Sequence, residues 1–193
     1  MARPREFDPQ EALNHALQIF WRKGYASTSL RDLTRAMGLS KSRLYDTYGD
    51  KRQLLLATLK RYNDLVIEPM AVELESDRPG RAEIERIFQD LIAGTQSDEA
   101  RRGCFLTNCA AELAPHDSDA SQAVRDGFAR LESAFDQAIQ RAQVEGDIPA
   151  GKDSRKLARF LVSSLNGMRI VAKANTDRKL LQDVADAVLS TLG

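Results

Sequence analysis

The sequence predicts an all-α protein of about nine helices, with a three-helix helix-turn-helix head over residues 1–50 and a helical-bundle body over 51–193. Three observations predict it. Apolar residues recur at i, i+3, i+4 and i+7 along most of the chain, and no segment reads as a strand. Asp or Ser starts these stripes and Gly or Pro ends them, at lengths suited to helices. Residues 28–50, TSLRDLTRAMGLSKSRLYDTYGD, carry two short capped helices joined by a tight turn.

Arg3 and Arg5 precede the first helix beside Pro4, as an arm able to reach a minor groove or as solvated residues of a terminus. Asp8 as N-cap with Pro9 at the first helical position starts helix 1, and Leu13, Ala16, Leu17 and Phe20 form its inner stripe. Trp21 and Tyr25 bracket the stop at Gly24 and read as core of the head. Ser29 and Asp32 make a capping box for a helix whose Leu30, Leu33 and Met37 face inward until Gly38 closes it. Leu39 then anchors the turn, and Ser40 caps a third helix from Lys41 to about Tyr48.

On a wheel of about 100° per residue, Leu44 and Tyr48 share one face of that helix, and Lys41, Ser42, Tyr45 and Asp46 the other. A helix with so little to bury and so many hydrogen-bonding groups outward suits presentation to a groove. A capped polar hairpin in an ordinary bundle is the alternative.

The run YASTSLRDLTRAMGLSKSRLYDTYGDKRQLL, residues 25–55, resembles the DNA-binding segment of the TetR/AcrR family of bacterial transcriptional repressors in order and spacing. The matching positions are Thr28-Ser29, Met37-Gly38-Leu39-Ser40, Leu44-Tyr45, Tyr48 and Asp50-Lys51. Met37 replaces the usual small residue before glycine, and Thr47 stands where His or Tyr is common, so an operator sequence does not carry over. The resemblance implies that Lys41, Ser42, Arg43, Tyr45 and Asp46 meet the major groove, with Thr28, Ser29, Ser40, Tyr48 and Lys51 completing the contact with double-stranded DNA.

The 193 residues are charge-balanced overall, but residues 1–52 carry ten Lys or Arg against six acids. The head is therefore +4 and the remainder −4, a basic head on an acidic body. No apolar leader opens the chain and no run approaches the roughly 18 apolar residues of a membrane span, so a cytoplasmic protein without membrane contact is expected. Cys104 and Cys109 point about 140° apart on a helix, so they form no disulfide framework, and with only two distant His no metal site or cofactor is expected.

In the body, residues 51 to about 75 read as one long helix with Leu55, Leu59, Tyr62 and Val66 along its stripe and Pro69 as a bend. Further helices cover roughly 81–93, a short apolar segment to 113, and about 119–145 with Val124, Phe128, Leu131, Phe135, Ile139 and Ala142 inward. One after Asp153 carries Leu157, Leu161, Leu165, Met168 and Ala172, and the last, after Asp177, carries Leu181, Val184 and Val188. Small residues on the last two helices suit either intrachain packing or a dimer interface. The resemblance implies a homodimer through those two helices and a palindromic operator.

The resemblance also implies an effector pocket in the body. The segment RRGCFLTNCAAELA, residues 101–114, resembles a branch of the family in which Gly-Cys-Leu/Phe opens the sixth helix and some members answer electrophiles or oxidants. Cys104 follows Arg101 and Arg102 at a helix start, where positive charge and the helix dipole favour thiolate. Packing as a small apolar filler is the competing account. Asn108, Glu112, Asn166 and Arg169 are candidates for orienting a polar small-molecule effector, Lys173 lies where it could approach Cys104, and Phe128 and Met168 complete the candidate set. The resulting expectation is a DNA-binding repressor released by a small molecule or an electrophile. An architectural or cell-division role on DNA is the alternative, and no nucleophile-base arrangement or phosphate-cradling loop points to an enzyme.

Overall fold

A computed structural model describes residues 8–97 and 101–193, so the proposed arm at Arg3 and Arg5 lies outside the described residues. Asp8 accepts from the amides of Gln10 and Glu11 to start α1 (Pro9–Lys23), with Pro9 at its N-terminus. The capping box between Ser29 and Asp32 is formed in both directions at α2 (Leu30–Met37), and Gly38 closes that helix at φ 67°. Ser40 accepts from the Arg43 amide to cap α3 (Lys41–Tyr48), and Asp50 caps α4 (Lys51–Tyr62). Leu17, Phe20, Leu33 and Leu44 are buried between these helices, with α1 packed on both α2 and α4.

The predicted bend takes a definite form. Residues Asn63–Ile67 are one π-helical turn between α4 and α5 (Glu68–Leu74), where the Glu68 amide donates to the Asn63 carbonyl five residues back. Pro69 is the cause. Its ring clashes with the carbonyl four residues earlier in a regular helix, and widening the preceding turn relieves that clash without ending the helix.

The body follows as α6 (Gly80–Ala93), α7 (Phe105–Glu112), α8 (Ser118–Glu145), α9 (Ser154–Ala174) and α10 (Arg178–Ser190). Twenty-eight residues long, α8 is the spine, in contact with α4, α5, α6, α7 and α9. Its buried Ala134, Phe135, Ala138, Ile139 and Ala142 are the stripe the periodicity predicts. Ion pairs tie the spine's neighbours: Arg130 bridges to Glu68 and Glu75, and Arg86 reaches Glu73, Glu83 and Asp90.

Two expectations are corrected. Val184 is 39% exposed rather than inward, because α10 turns Leu181, Ala185 and Val188 to the core and leaves Val184 on the outer face with Phe160, Ile170 and Val171 of α9. Trp21 is not internal to the head but packs into the body, edge-on to Tyr62 at 5.1 Å.

α6 meets the backbone of α8 at Gly80, where an added Cβ would lie 2.1 Å from the Ala138 carbonyl oxygen. Only backbone movement relieves such a contact, so Gly80→Ala is expected to cost about 1–3 kcal/mol. That corresponds to a fall in Tm of roughly 2–4 °C per kcal/mol in a chain of this size. A Cβ at Gly151 meets nothing within 4 Å, so Gly151→Ala should leave the circular dichroism melt unchanged.

Candidate functional site

The outer face of α3 is built by what its inner face buries. Leu44 is fully buried, and the Tyr48 hydroxyl donates to the Pro9 carbonyl at 2.8 Å, which pins the helix to the start of α1. Lys41, Ser42, Arg43, Tyr45 and Asp46 are left exposed. The Lys41 ammonium sits 5.8 Å from the centre of the Tyr45 ring, and the Ser42 hydroxyl donates to Asp46 at 3.3 Å. One short helix thus presents cations, donors, an acceptor and an aromatic edge together, the chemistry that reads base edges and grips phosphate.

The remaining predicted contacts fall in different places. Ser40 is exposed at the helix start with its oxygen used as the cap. Ser29 is exposed and holds Asp32, whose carboxyl is kept well below the usual range chiefly by the hydrogen bond from Lys23. Thr28 departs from expectation: it is 1% exposed, and its hydroxyl donates to the Gly24 carbonyl at 2.6 Å. A threonine that closes its own turn has no hydroxyl left for phosphate. Lys51 lies half-buried over the Tyr25 ring at 4.2 Å, and Tyr48 is spent on α1 as described.

Head and body are clasped at three points, and an ion-pair cluster at the first turn of α4, the helix on which α1 packs, supports them. The Glu112 carboxylate, ending α7, accepts the amides of Tyr25 at 2.9 Å and Ala26 at 2.6 Å, both in the turn between α1 and α2. Arg52 binds Asp117 through two nitrogens at 2.6 and 2.8 Å, and Asp119 at 2.7 Å, joining the start of α4 to the start of α8. The Trp21 indole donates to the Gly103 carbonyl at 3.1 Å. The Arg102 guanidinium lies 4.5 Å over the same ring and bonds to Gln18. Hydrogen bonding from Arg52 is the main reason the Asp117 carboxyl is lowered to about 2.

Behind this clasp lies a cavity of about 290 Å³, lined by Trp21, Tyr62, Val66, Met70, Ile87, Leu91 and Arg169 among others. Of the sequence-predicted effector residues Arg169 lines it, and Cys104, Asn108, Glu112, Phe128, Met168 and Lys173 are not among its lining residues. Cys104 is the N-cap residue of α7 as expected, but it is 3% exposed and receives the Tyr62 hydroxyl at 3.7 Å. Burial pushes the Cys109 thiol up to about 12. Asn108 donates to the Arg102 carbonyl and accepts from Lys173 at 3.0 Å, so these two brace α7 against α9. Met168 is core, Phe128 is half-buried against the core, and Glu112 faces the head. The walls contributed by Trp21, Val66, Ile87 and Leu91 were absent from the expectation, since only tertiary packing gathers α1, the π turn and α6 at one point.

Comparison with known proteins is consistent along the chain. Residues 12–58 match the family described as bacterial regulatory proteins, tetR family, and residues 80–188 match the tetracyclin repressor-like C-terminal domain. The chain is 34% identical over 193 residues to the HTH-type transcriptional regulator YezE of Bacillus subtilis, with both chains covered in full. It is 30% identical to the HTH-type transcriptional repressor ComR of Escherichia coli, over 97% of this chain and 90% of that one. Among solved structures it is similar to a cysteine mutant of the TetR family transcriptional regulator CifR complexed with 26 bp of double-strand operator DNA. The two share 28% identity and a TM-score of 0.86, each chain fully covered.

Two outcomes test the clasp. Glu112→Ala is expected to raise hydrogen–deuterium exchange at the Tyr25 and Ala26 amides by about tenfold, the scale for losing hydrogen bonds to a charged acceptor; unchanged exchange would refute the clasp. Asp117, depressed when folded, adds stability that is fully present above its ordinary pKa near ~3.9 and is lost as pH falls toward about 2. Asp117→Asn should therefore flatten the acid limb of a Tm-against-pH profile between those values.

Proposed function

The chain belongs to the TetR family of bacterial regulatory proteins, and from that premise we propose that it is a homodimeric repressor released from a palindromic operator by a small molecule. The observation that carries the proposal is α3: a capped helix whose polar face stands in solvent because Leu44 and Tyr48 hold the other face down. Lys41, Ser42, Arg43, Tyr45 and Asp46 enter the major groove, and Ser40 and Lys51 position the head on phosphate, while the Ser29 hydroxyl is spent on Asp32. The protein acts in the cytoplasm, by binding and not by catalysis. Residues 1–50 form the DNA-binding unit and 51–193 the regulatory and dimerising one.

Support for the dimer comes from the outer face of the last two helices. Phe160, Ile170, Val171 and Val184 are exposed there, and Phe160 and Val184 line an open groove of about 600 Å³ with Leu180 and Ala187. Two copies joined through this face carry two heads, as an operator with half-sites about 34 Å apart requires. The repressor and operator-DNA relatives support the sign and target of action.

Release follows from the clasp. Trp21 belongs to the head yet forms a wall of the cavity, so a ligand there touches both units. A ligand that binds better to the conformer with displaced heads weakens operator affinity by the difference, and a coupling of about 1–3 kcal/mol is typical. The buried Cys104 favours a reversible ligand over thiol oxidation, because thiolate chemistry needs access.

Tyr45→Ala should weaken binding to the protein's own upstream region at least tenfold in a fluorescence-anisotropy titration while leaving the melt unchanged, since the side chain is exposed. Retained affinity would refute the reading of α3. Cys104→Ser should leave ligand-driven release intact.

A further inference from the structure

The cavity behind the clasp has one feature that packing alone does not explain. Its walls are apolar and aromatic, with Trp21 and Tyr62 edge-on to each other at 5.1 Å and Val66, Met70, Ile87 and Leu91 around them. Two carboxylates reach its lining, Glu73 and Asp90, and each is engaged by Arg86 at 2.9 Å. Arg169 is different. Its Nη1 is buried without a hydrogen-bond partner, and its Nη2 meets the Met70 sulfur at 4.0 Å. Among the described residues no carboxylate pairs with it.

A guanidinium nitrogen that is buried and unbonded is costly, and a cavity lined by it gains most from an anion that satisfies it. The planar fork of arginine matches the two oxygens of a carboxylate. A single cation compensates one negative charge and not two, and the paired acids Glu73 and Asp90 on the lining disfavour a dianion further. At ~30 Å³ per water-sized atom, a space of about 290 Å³ holds on the order of ten non-hydrogen atoms. We infer that this cavity binds a small aryl-substituted monocarboxylate, its carboxylate on Arg169 and its ring against Trp21 and Tyr62.

The inference names the chemical class of the effector proposed above and rests on that reading only for the link to operator release. Binding itself is independent of it. A ring seated against Trp21 touches the one wall that α1 supplies, so the same contact that recognises the ligand bears on the head.

Trp21 is the only tryptophan of the chain, so its emission reports the cavity directly. The purified full-length protein is titrated with 3-phenylpropanoate, with its methyl ester and with 3-phenylpropylamine. Expected is a saturable change with the carboxylate and binding at least tenfold weaker for the ester and the amine. Arg169→Met should bring the carboxylate to the level of the ester and leave the ester unchanged, and Arg169→Lys should restore part of the preference. Equal binding of acid and ester by the unaltered protein overturns the inference without reliance on any variant; so does binding of none of the three, or an Arg169→Met variant that keeps the preference. Operator anisotropy on the same samples separates the two readings. If 3-phenylpropanoate binds as described but operator affinity does not move, the carboxylate site stands and ligand-driven release falls.

Discussion

Two backbone amides in the turn after α1 are satisfied by a carboxylate eighty-seven and eighty-six residues away, and the placement of the whole head depends on that clasp. α2 and α3 hang on a short turn and bury few side chains of their own, so intrinsic helix stability would not fix their direction. Glu112 supplies the missing constraint from the end of α7, and Arg52 fixes the first turn of α4, on which α1 packs, to the start of α8. Both partners in the body lie around the turn from α7 to α8. A small rearrangement of this one segment therefore reaches the head through hydrogen bonds as well as through the packing of α1 on α4.

The charges of the body divide into two kinds. Arg86 of α6 binds Glu73 of α5 together with Glu83 and Asp90 of its own helix, Arg130 of α8 binds Glu68 and Glu75 at the two ends of α5, and both act as rivets between helices. Arg169 stands apart, turned toward an aromatic cavity with a methionine sulfur as its neighbour. Structural ion pairs on a surface contribute little each, and several linked ones contribute more by holding geometry. An uncommitted cation contributes nothing to that frame. Its presence makes sense when a visitor completes it.

Local signals made most of the elements legible before any coordinates. The Ser29–Asp32 box, Gly38 at φ 67°, Gly146 at φ 87° and the caps at Asp8, Asp153 and Asp177 set helix boundaries within a residue or two of those expected. These signals work because each is satisfied by atoms three or four residues away. What escaped was set by distant atoms. Trp21 reads as head core from its stripe, yet its indole bonds to Gly103. Thr28 reads as a phosphate contact from its place in the motif, yet its hydroxyl folds back on Gly24. Glu112 reads as a pocket residue from its helix, and nothing in its own neighbourhood points to the turn it holds. Val184 falls on the helical stripe but on the side of α10 that the core does not reach.

The π turn at Asn63–Ile67 places one surplus residue in the rod that joins the head to the bundle. Each residue of a regular helix turns the chain by about 100°, so that surplus offsets the azimuth of everything on one side relative to the other. The azimuth of α5 relative to α4 is thus set in part by a single proline at position 69. A chain that gained or lost one residue here would turn α5 to a different bearing on α4 with no change to any side chain of α3.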